Sequence, residues 1–528
     1  CKKEMVKQEY SSTFNITLKN DKTLDLLRNA RQAFNTEIND ILLSAIGLTI
    51  KDLTGQEKVA IKMEGHGREN IGSNIDISRT VGWFTTTYPV ILTCYDNIER
   101  SVIETKEMLR NIPNHGIGYG LLKLEDNFKE PDISFNYLGV LDDDNSEQKK
   151  DLHFCTIGTD ENDGNDVFSG ISMNGFISNK CLSFTISYKG TRFSEEFVKQ
   201  FALLYEKLLV ETIDYCCSKK EVCKTPSDYS ADKLSIKELD QINCTYGKEN
   251  IEDIYSLTPL QEGMLYFKLN DNNSTGYVVQ QILHVKNKIQ HEFVEKALML
   301  LAFRYEILRS IIAYDNIEKP VIVTLNNRNI EYEMIDLSNL EKADSSIQFS
   351  KIQSDDVNRG FDLQKDSLLR VKLIYLPDNE VKMIWCFHHI IMDGWCMSHL
   401  YKEFTEYYKR LVEQESFNDI YQDILIKRRS IADYGDYLRW INSQDFEEGL
   451  NYWENLLSDY SGIADISPTM KPKKHEEQVQ RQNFVMSKEL SEFIAKQASL
   501  YKTTINTVLE TALGILLMKY NYEEDVVF

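Results

Sequence analysis

No stretch of this 528-residue sequence is apolar for long enough to cross a bilayer. The longest such run, Ile505 to Met518, is broken by Thr, Glu and Gly and falls short of the roughly 20 apolar residues a spanning helix needs. Positive charge is also scarce. With 60 Lys and Arg against 82 Asp and Glu, the formal net charge is −22, so no cationic excess exists to release counterions from a phosphate backbone, and nucleic acid is a poor partner. The opening residues, CKKEMVKQEYSST, lack the apolar core of a secretory signal. Ten cysteines lie scattered, and their one cluster, Cys216-Cys217 with Cys223, does not reproduce the paired CxxC spacing of a zinc ribbon. Reduced thiols and a cytoplasmic location are expected.

What is present describes a large folded chain. A hydrophobic content of 42% and an aromatic content of 11% are ample for packed cores. The length exceeds what one ordinary core serves, so two or more lobes or domains are expected.

Periodicity predicts helices over 21–34 and 36–52, a strand over 58–64, a strand over 88–94, a helix over 97–111, strands over 133–138 and 171–188, and a long helix over 193–217. Residues 218–254, containing KTPSDYSADKLS, have a sparse apolar pattern and read as a connector. Beyond them, helices are predicted over 258–269, 291–312, 397–413 and 434–457, with strands over 368–376 and 381–388.

The two ends of the chain are alike. Thr36 to Gly47 (TEINDILLSAIG) resembles Thr503 to Gly514 (TTINTVLETALG), and the pairs Ile38/Ile505, Asn39/Asn506, Ala45/Ala512 and Gly47/Gly514 all differ by 467. The chain therefore reads as slightly more than one period of a tandem duplication, with both ends cutting through a domain.

Two polar intrusions into apolar surroundings carry the candidate chemistry. In MEGHGRE, Met63 to Glu69, strand alternation places Lys62, Glu64 and His66 on one face. Gly65 and Gly67 give backbone freedom for close approach of a substrate. Glu64 suits an active-site carboxylate; the alternative is a surface turn using Arg68. In CFHHIIMDGW, Cys386 to Trp395, His388 and His389 face opposite sides if the strand continues, so they do not jointly ligate one ion. A two-histidine, one-carboxylate metal site would need His389, Asp393 and a distant third ligand, for which this half offers no persuasive His or Cys group. The bland alternative is buried core histidines.

His388-His389-x3-Asp393-Gly394-Trp395 resembles the signature of condensation domains in nonribosomal peptide synthetases, relatives of chloramphenicol acetyltransferase. Leu257 to Leu265 (LTPLQEGML) is similar to the opening helix of that family. Arg304 to Arg309 resembles its RHExLR element, with Tyr305 in place of the usual His, and Tyr434-x2-Tyr437-x2-Trp440 matches a later aromatic element. The first part resembles the C-terminal portion of the sister epimerization domains through Asn39 to Leu43, Glu64 to Glu69, Arg79 to Thr85 (RTVGWFT), Pro113 to Gly120 and Phe135 to Gly139 (FNYLG), all in order.

The resemblance implies an α/β fold of chloramphenicol acetyltransferase-like lobes, each a two-layer sandwich with a mixed sheet, paired in a V around a tunnel. It implies residues 1–217 as the C-terminal lobe of an epimerization domain, 218–254 as connector, 255–425 as the N-terminal lobe of a condensation domain and 426–528 as the start of its second lobe. His389 is then expected to meet the attacking amine and Gly394 to offer its amide to the oxyanion. Asp393 is expected to hold the turn and pair with an arginine, and His388 to be packed. Glu64 is similar to the catalytic glutamate of Cα epimerization, with Asn136, Tyr137 and Arg68 as orienting candidates; the matching histidine signature of that domain would precede Cys1.

No cofactor or metal is expected to be bound directly. Phosphopantetheine arms of upstream and downstream carrier domains are expected as substrate tethers, with neighbouring synthetase domains as partners and neither nucleic acid nor membrane. An epimerase placed upstream implies a D-configured donor and an L acceptor. No carrier-protein serine motif or adenylation motif is present, so amino-acid selection falls to other domains. The rival readings are a catalytically incomplete carrier-docking fragment, a stand-alone thioester-dependent acyltransferase and a metal hydrolase.

Overall fold

The structure, a computed structural model, describes residues 10–69, 76–77, 79–122, 130–141, 170–231, 233–271, 275–286, 289–428, 430–460, 462, 464 and 483–528. Most of the opening segment read above as lacking a signal core lies outside the described residues. The chain forms two compact units, Cys1–Arg439 and Trp440–Phe528. Among the described residues no helix is long and apolar enough to cross a membrane.

The larger unit begins with β1 (Tyr10–Thr17), α1 (Asn20–Arg28), α2 (Ile38–Thr54), β2 (Lys58–Gly65), β3 (Thr86–Thr93), α3 (Ile98–Arg110), β4 (Ile133–Val140), β5 (Ile171–Ser178), β6 (Cys181–Lys189) and α4 (Glu195–Ser218). Its six strands form one mixed sheet in the order β1-β6-β5-β4-β2-β3, in which β4 runs parallel to both neighbours. Strand alternation divides the faces. Ile61, Met63, Ile133, Phe135, Met173, Phe184 and Ile186 join α2 and α4 in the core. Lys62, Glu64, Ser134, Asn136, Asn174 and Thr185 fall on the opposite face, half-buried or exposed. One layer of helices thus covers one face and leaves the other polar.

Helix α2 is the centre of this core. A reciprocal capping box between Glu37 and Asp40 starts it, and Gly55 ends it in the left-handed conformation at φ 70°. Asp40 tolerates full burial because the Arg110 guanidinium donates to both its carboxylate oxygens, at 3.3 and 2.9 Å. Burial pushes the Asp40 carboxyl up and Arg110 opposes the shift.

Residues 218–231 and 233–254, within the expected connector, are structured. They hold a short turn at Pro226–Asp228, helix α5 (Ile236–Tyr246) and the start of β7 (Ile251–Ser256). Capping boxes Thr225/Asp228 and Ser235/Glu238 organise them, a polar logic that apolar periodicity does not register. The buried Lys106 of α3 donates to the Phe34 carbonyl, Thr225 Oγ1 and Asp228 Oδ2. Its neighbour Glu107 accepts from Thr225 Oγ1 and from the amide and hydroxyl of Ser227.

The chain continues through α6 (Pro259–Asn270), β8 (Val278–Val285), α7 (His291–Arg304), β9 (Ser310–Ala313), β10 (Val321–Leu325), β11 (Glu331–Asp336), α8 (Lys342–Arg359), β12 (Leu369–Tyr375), β13 (Val381–His388), α9 (Gly394–Val412), α10 (Phe417–Arg428) and α11 (Tyr434–Asn442). Two sheets result, β7-β10-β9 and β11-β12-β13-β8. Strand β13 is covered on both sides: Trp385 meets Tyr401 and Phe404 of α9, and Ile384 joins Phe349 of α8. This explains its nearly unbroken apolar sequence.

Two predicted helices are shorter than their patterns suggest. The 291–312 helix ends at Arg304, because Ser310–Ala313, rich in β-branched Ile, pairs with β10. The 434–457 helix breaks into α11 and α12 (Phe446–Leu457) at Asp445, whose side chain accepts the amides of Glu447 and Glu448. In the smaller unit follow α13 (Lys488–Leu500) and α14 (Ile505–Asn521). Helices α2 and α14 begin and end with the offset of the repeat, since 505 − 38 and 521 − 54 both give 467.

Candidate active site

Strand β13 ends at His388, and His389–Ile391 make a single 3₁₀ turn before α9. The strand does not continue through both histidines, so their different settings come from the turn as well as from alternation. The His388 side chain is buried, with Nδ1 accepting the Ile390 amide at 3.1 Å and with Tyr277 and Phe361 flanking the ring. Burial, then the charges of Lys268 and His389, pull its pKa down to about 4. It is therefore neutral at physiological pH, and with Nδ1 accepting, its proton sits on Nε2. His389 is half-buried, and its amide donates to the Tyr277 carbonyl at 2.8 Å.

Asp393 is the N-cap of α9. Its Oδ1 accepts the amides of Trp395 at 2.9 Å and Cys396 at 3.1 Å. Partial burial disfavours the carboxylate, but the hydrogen bonds from Cys396 and Trp395 outweigh it and hold the group below its usual range. Asp393, expected to hold the turn and pair with an arginine, accepts these two backbone amides among the described residues. Gly394 occupies the first helical position, where a Cβ would meet nothing within 4 Å. The buried arginine of this region, Arg370, is committed to Asp356 and the Gly360 carbonyl.

The other signature segments gather around this turn. Gln261 of α6, nearly buried, donates from Nε2 to the Ile390 carbonyl at 2.8 Å, and its Oε1 accepts the Thr258 amide at 2.9 Å and the Tyr434 hydroxyl at 3.1 Å. Tyr255 stacks edge-on against Tyr434 and donates to Glu306 at 2.8 Å. Glu306 and Glu252 share Arg428, and Glu252 also pairs with buried Arg309. Thus the segments around Thr258, Glu306, His389 and Tyr434 form one connected network. Tyr305, standing where the family pattern has His, has its hydroxyl pushed up to about 12 by burial and by the charge of Glu403.

The second candidate, Glu64, lies near the end of β2 on the polar sheet face, half-buried, and accepts a hydrogen bond from Asn136 Nδ2 at 2.8 Å. Two predicted residues are thereby brought together. Tyr137 is half-buried, its hydroxyl meets no partner among the described residues, and burial pushes that group up. Arg68 turns instead to the following loop, donating to the carbonyls of Ile77 at 2.5 Å and Thr80 at 2.7 Å and lying 4.2 Å over the Phe84 ring. Gly67, at φ 64°, makes this possible: a Cβ there would lie 1.7 Å from the Phe84 carbonyl oxygen. Glu64 lies on β2 and His389 directly follows β13, and these two strands belong to different sheets. Among the described residues no group of three His, Cys, Asp or Glu side chains is placed to hold a metal ion.

The condensation-domain family model matches residues 2–235 and 251–528. The chain belongs to the condensation-domain family. This condensation-family chain is 36% identical over 519 residues to a component protein of the mycosubtilin synthase of Bacillus subtilis, covering 96% of the chain and 20% of that protein. To bacitracin synthase 1 of Bacillus licheniformis it is 33% identical over 530 residues, covering 98% and 10%. These relatives are nonribosomal peptide synthetases, and the chain spans a fifth or less of their length. Among solved structures, the epimerization domain from the third module of tyrocidine synthetase B is 32% identical, with a TM-score of 0.37 over 40% of this chain and 50% of that one. The first condensation domain of the calcium-dependent antibiotic synthetase is 18% identical, with a TM-score of 0.40 over 52% and 63%.

The family elements read from the sequence contain Gln261 and Tyr434 but do not show that they meet the histidine turn, and Tyr277 lies in none of them. The Thr258-x2-Gln261 spacing is a capping-box signal, though not one that reports the Ile390 contact. Tyr277, at φ 65°, carries no sequence cue.

Proposed function

We propose that residues 255–425, with the lobe that begins at 426, join two carrier-bound thioester substrates through a peptide bond, and that His389 is the side chain meeting the attacking amine. The observation that supports this most is the network that connects three distant segments, around Thr258, Glu306 and Tyr434, to the short turn bearing His389. An ammonium has no lone pair, so the acceptor amine must be neutral, held at the donor carbonyl, and relieved of a proton as the bond forms. His389, half-buried on a pinned backbone, suits that contact, whereas His388 is committed to the turn. The Gly394 amide, at the positive end of α9, is the candidate donor to the tetrahedral oxyanion. Asp393 serves by fixing the start of α9. Phosphopantetheine arms of flanking carrier domains bring both substrates and supply no protein-bound cofactor. In the synthetase carrying this chain, His389→Ala should lower peptide-bond formation at least a hundredfold with the fold retained; wild-type turnover by that variant would remove the assignment.

The Glu64–Asn136 pair favours a second activity in residues 1–217, with 218–254 joining the two parts. Here Glu64 exchanges the Cα proton of a carrier-bound aminoacyl or peptidyl thioester, converting L into D. Asn136 holds the carboxylate in place, while Arg68 acts on the neighbouring loop. The weakly acidic proton requires a positioned base and donors for the enolate-like oxygen. The condensation site downstream would then take a D-configured donor and an L acceptor. Glu64→Gln should abolish solvent-deuterium uptake at Cα, and undiminished uptake would refute the role.

A further inference from the structure

We infer that Gln261 is a positioning residue for His389, acting through the carbonyl of Ile390. The inference rests on the reading of His389 as the group that meets the acceptor amine. The backbone around His389 is held at successive points: the His388 amide donates to the Leu368 carbonyl at 3.0 Å, the His389 amide to the Tyr277 carbonyl at 2.8 Å, and the Ile390 amide to His388 Nδ1 at 3.1 Å. The Ile390 carbonyl completes the set by accepting from Gln261 Nε2 at 2.8 Å.

Gln261 is 7% exposed, and both ends of its amide are occupied. Its Oε1 receives the Thr258 amide at 2.9 Å, the Thr258 hydroxyl at 3.1 Å and the Tyr434 hydroxyl at 3.1 Å. With Oε1 anchored in this way, the amide plane has little freedom, and Nε2 is aimed at the turn. Removing that donor leaves a buried carbonyl unmet, and the turn must shift to satisfy it. A displacement of about 1 Å at a reacting group costs on the order of a hundredfold in rate. The bond therefore ties the α6 segment to the backbone one residue beyond His389.

Gln261 also completes a capping box with Thr258, so loss of rate on deleting the side chain would not separate helix capping from positioning. Gln261→Glu separates them. Glutamate is an equally good capping-box residue and keeps the acceptor for Thr258 and Tyr434, but it carries no donor for Ile390. Condensation of carrier-loaded donor and acceptor would be followed in the synthetase carrying this chain. The His389 Cε1–Hε1 resonance would be followed alongside it by NMR in the ¹³C-histidine-labelled chain, assigned by its loss in His389→Ala.

The expected result is a kcat at least about tenfold lower, acceptor KM within about twofold of wild type, and a displaced His389 resonance. Wild-type kcat, or an unmoved resonance, would overturn the inference. If the unaltered protein forms no peptide bond while Gln261→Glu still displaces the resonance, the functional reading fails and the positioning role stands. Should the glutamate variant not fold, Gln261→Met is read against Thr258→Val, which weakens the same capping box but leaves Gln261 Nε2 to donate. The lower kcat and displaced resonance are expected in Gln261→Met alone, and an equal effect of the two variants, or none, would overturn the inference.

Discussion

Replacing Lys106 by methionine should loosen residues 225–228 from helix α3. Lys106 is 1% exposed, and its ammonium donates to the Phe34 carbonyl at 2.8 Å, Thr225 Oγ1 at 2.7 Å and Asp228 Oδ2 at 2.7 Å. Methionine fills nearly the same space, so the cavity contribution is small and the loss is electrostatic. Removing one partner of a buried ion pair costs about 3–5 kcal/mol. Asp228 keeps the Thr225 amide at 2.7 Å, and the Glu107 bonds to the Thr225 hydroxyl and to Ser227 remain, so the lower end, about 3 kcal/mol, applies. A chain of several lobes is unsuited to a single two-state unfolding measurement, whereas native-state hydrogen exchange reads local opening directly. The Thr225 and Ser227 amides donate to Asp228 and Glu107 and should exchange roughly 150-fold faster in the variant, since each 1.4 kcal/mol is tenfold. Lys106→Met with Asp228→Asn, which removes the orphaned charge, should recover part of that loss. Acceleration below about threefold in the single variant would show that this ion pair does not hold the segment, and would sink the reasoning.

Two further predictions concern the site residues. His388 has a folded pKa near 4, below the roughly 6.5 of an exposed histidine, so the unfolded chain binds its proton first as the pH falls. Its contribution to stability is therefore complete above about pH 6.5 and is lost between there and about pH 4, by roughly 3 kcal/mol. Exchange of the Ile390 amide across that window should show the loss, and an equal slope in His388→Gln would assign it to another group. Gly67→Ala forces a Cβ onto the Phe84 carbonyl at a φ of 64° and should destabilise the loop by more than about 1 kcal/mol. Tryptophan fluorescence of Trp83, beside Phe84, would report the displacement, and an unchanged spectrum with unchanged stability would contradict it.

Legibility differs between elements for physical reasons. The elements α2, α3, α4, β2, β12 and β13 are placed by apolar pattern because each buries a face large enough to impose a period on its sequence. Strands β1, β7, β8, β10 and β11 and helices α5, α8, α10 and α13 are missed. Helix α5 and the 225–228 turn are specified by capping side chains, whose signal is a pair of polar residues at a spacing of three. The divisions at Arg304 and Asp445 show local propensity yielding to strand pairing in one case and to a cap in the other. At the site, the types and order of Glu64, His388, His389 and Asp393 are readable. Asn136 is readable as an orienting candidate, and Gln261 and Tyr434 fall in family elements, but the contacts of Gln261 with Ile390 and Tyr434 are not readable, because they join residues 129 and 173 positions apart.

The repeat separates what belongs to sequence from what belongs to structure. The same helix is legible at 38–54 and 505–521, with bounds that keep the offset of 467, because capping and 3.6-residue periodicity are local properties. Burial is not local. Leu42 and Ile46 are 0% exposed, whereas Leu509 and Leu513, their counterparts at that offset, are each 40% exposed. The first pair has a six-stranded sheet with α3 and α4 around it, and the second has α13 as its neighbour in its own unit. The sequence by itself determined the family, the elements that bury a periodic apolar face, and the types and order of the candidate side chains. The tertiary structure alone decided that His388 is neutral and committed to the turn, that His389 is half-buried on a pinned backbone, and that Arg68 serves a loop, because each depends on atoms brought close from distant parts of the chain.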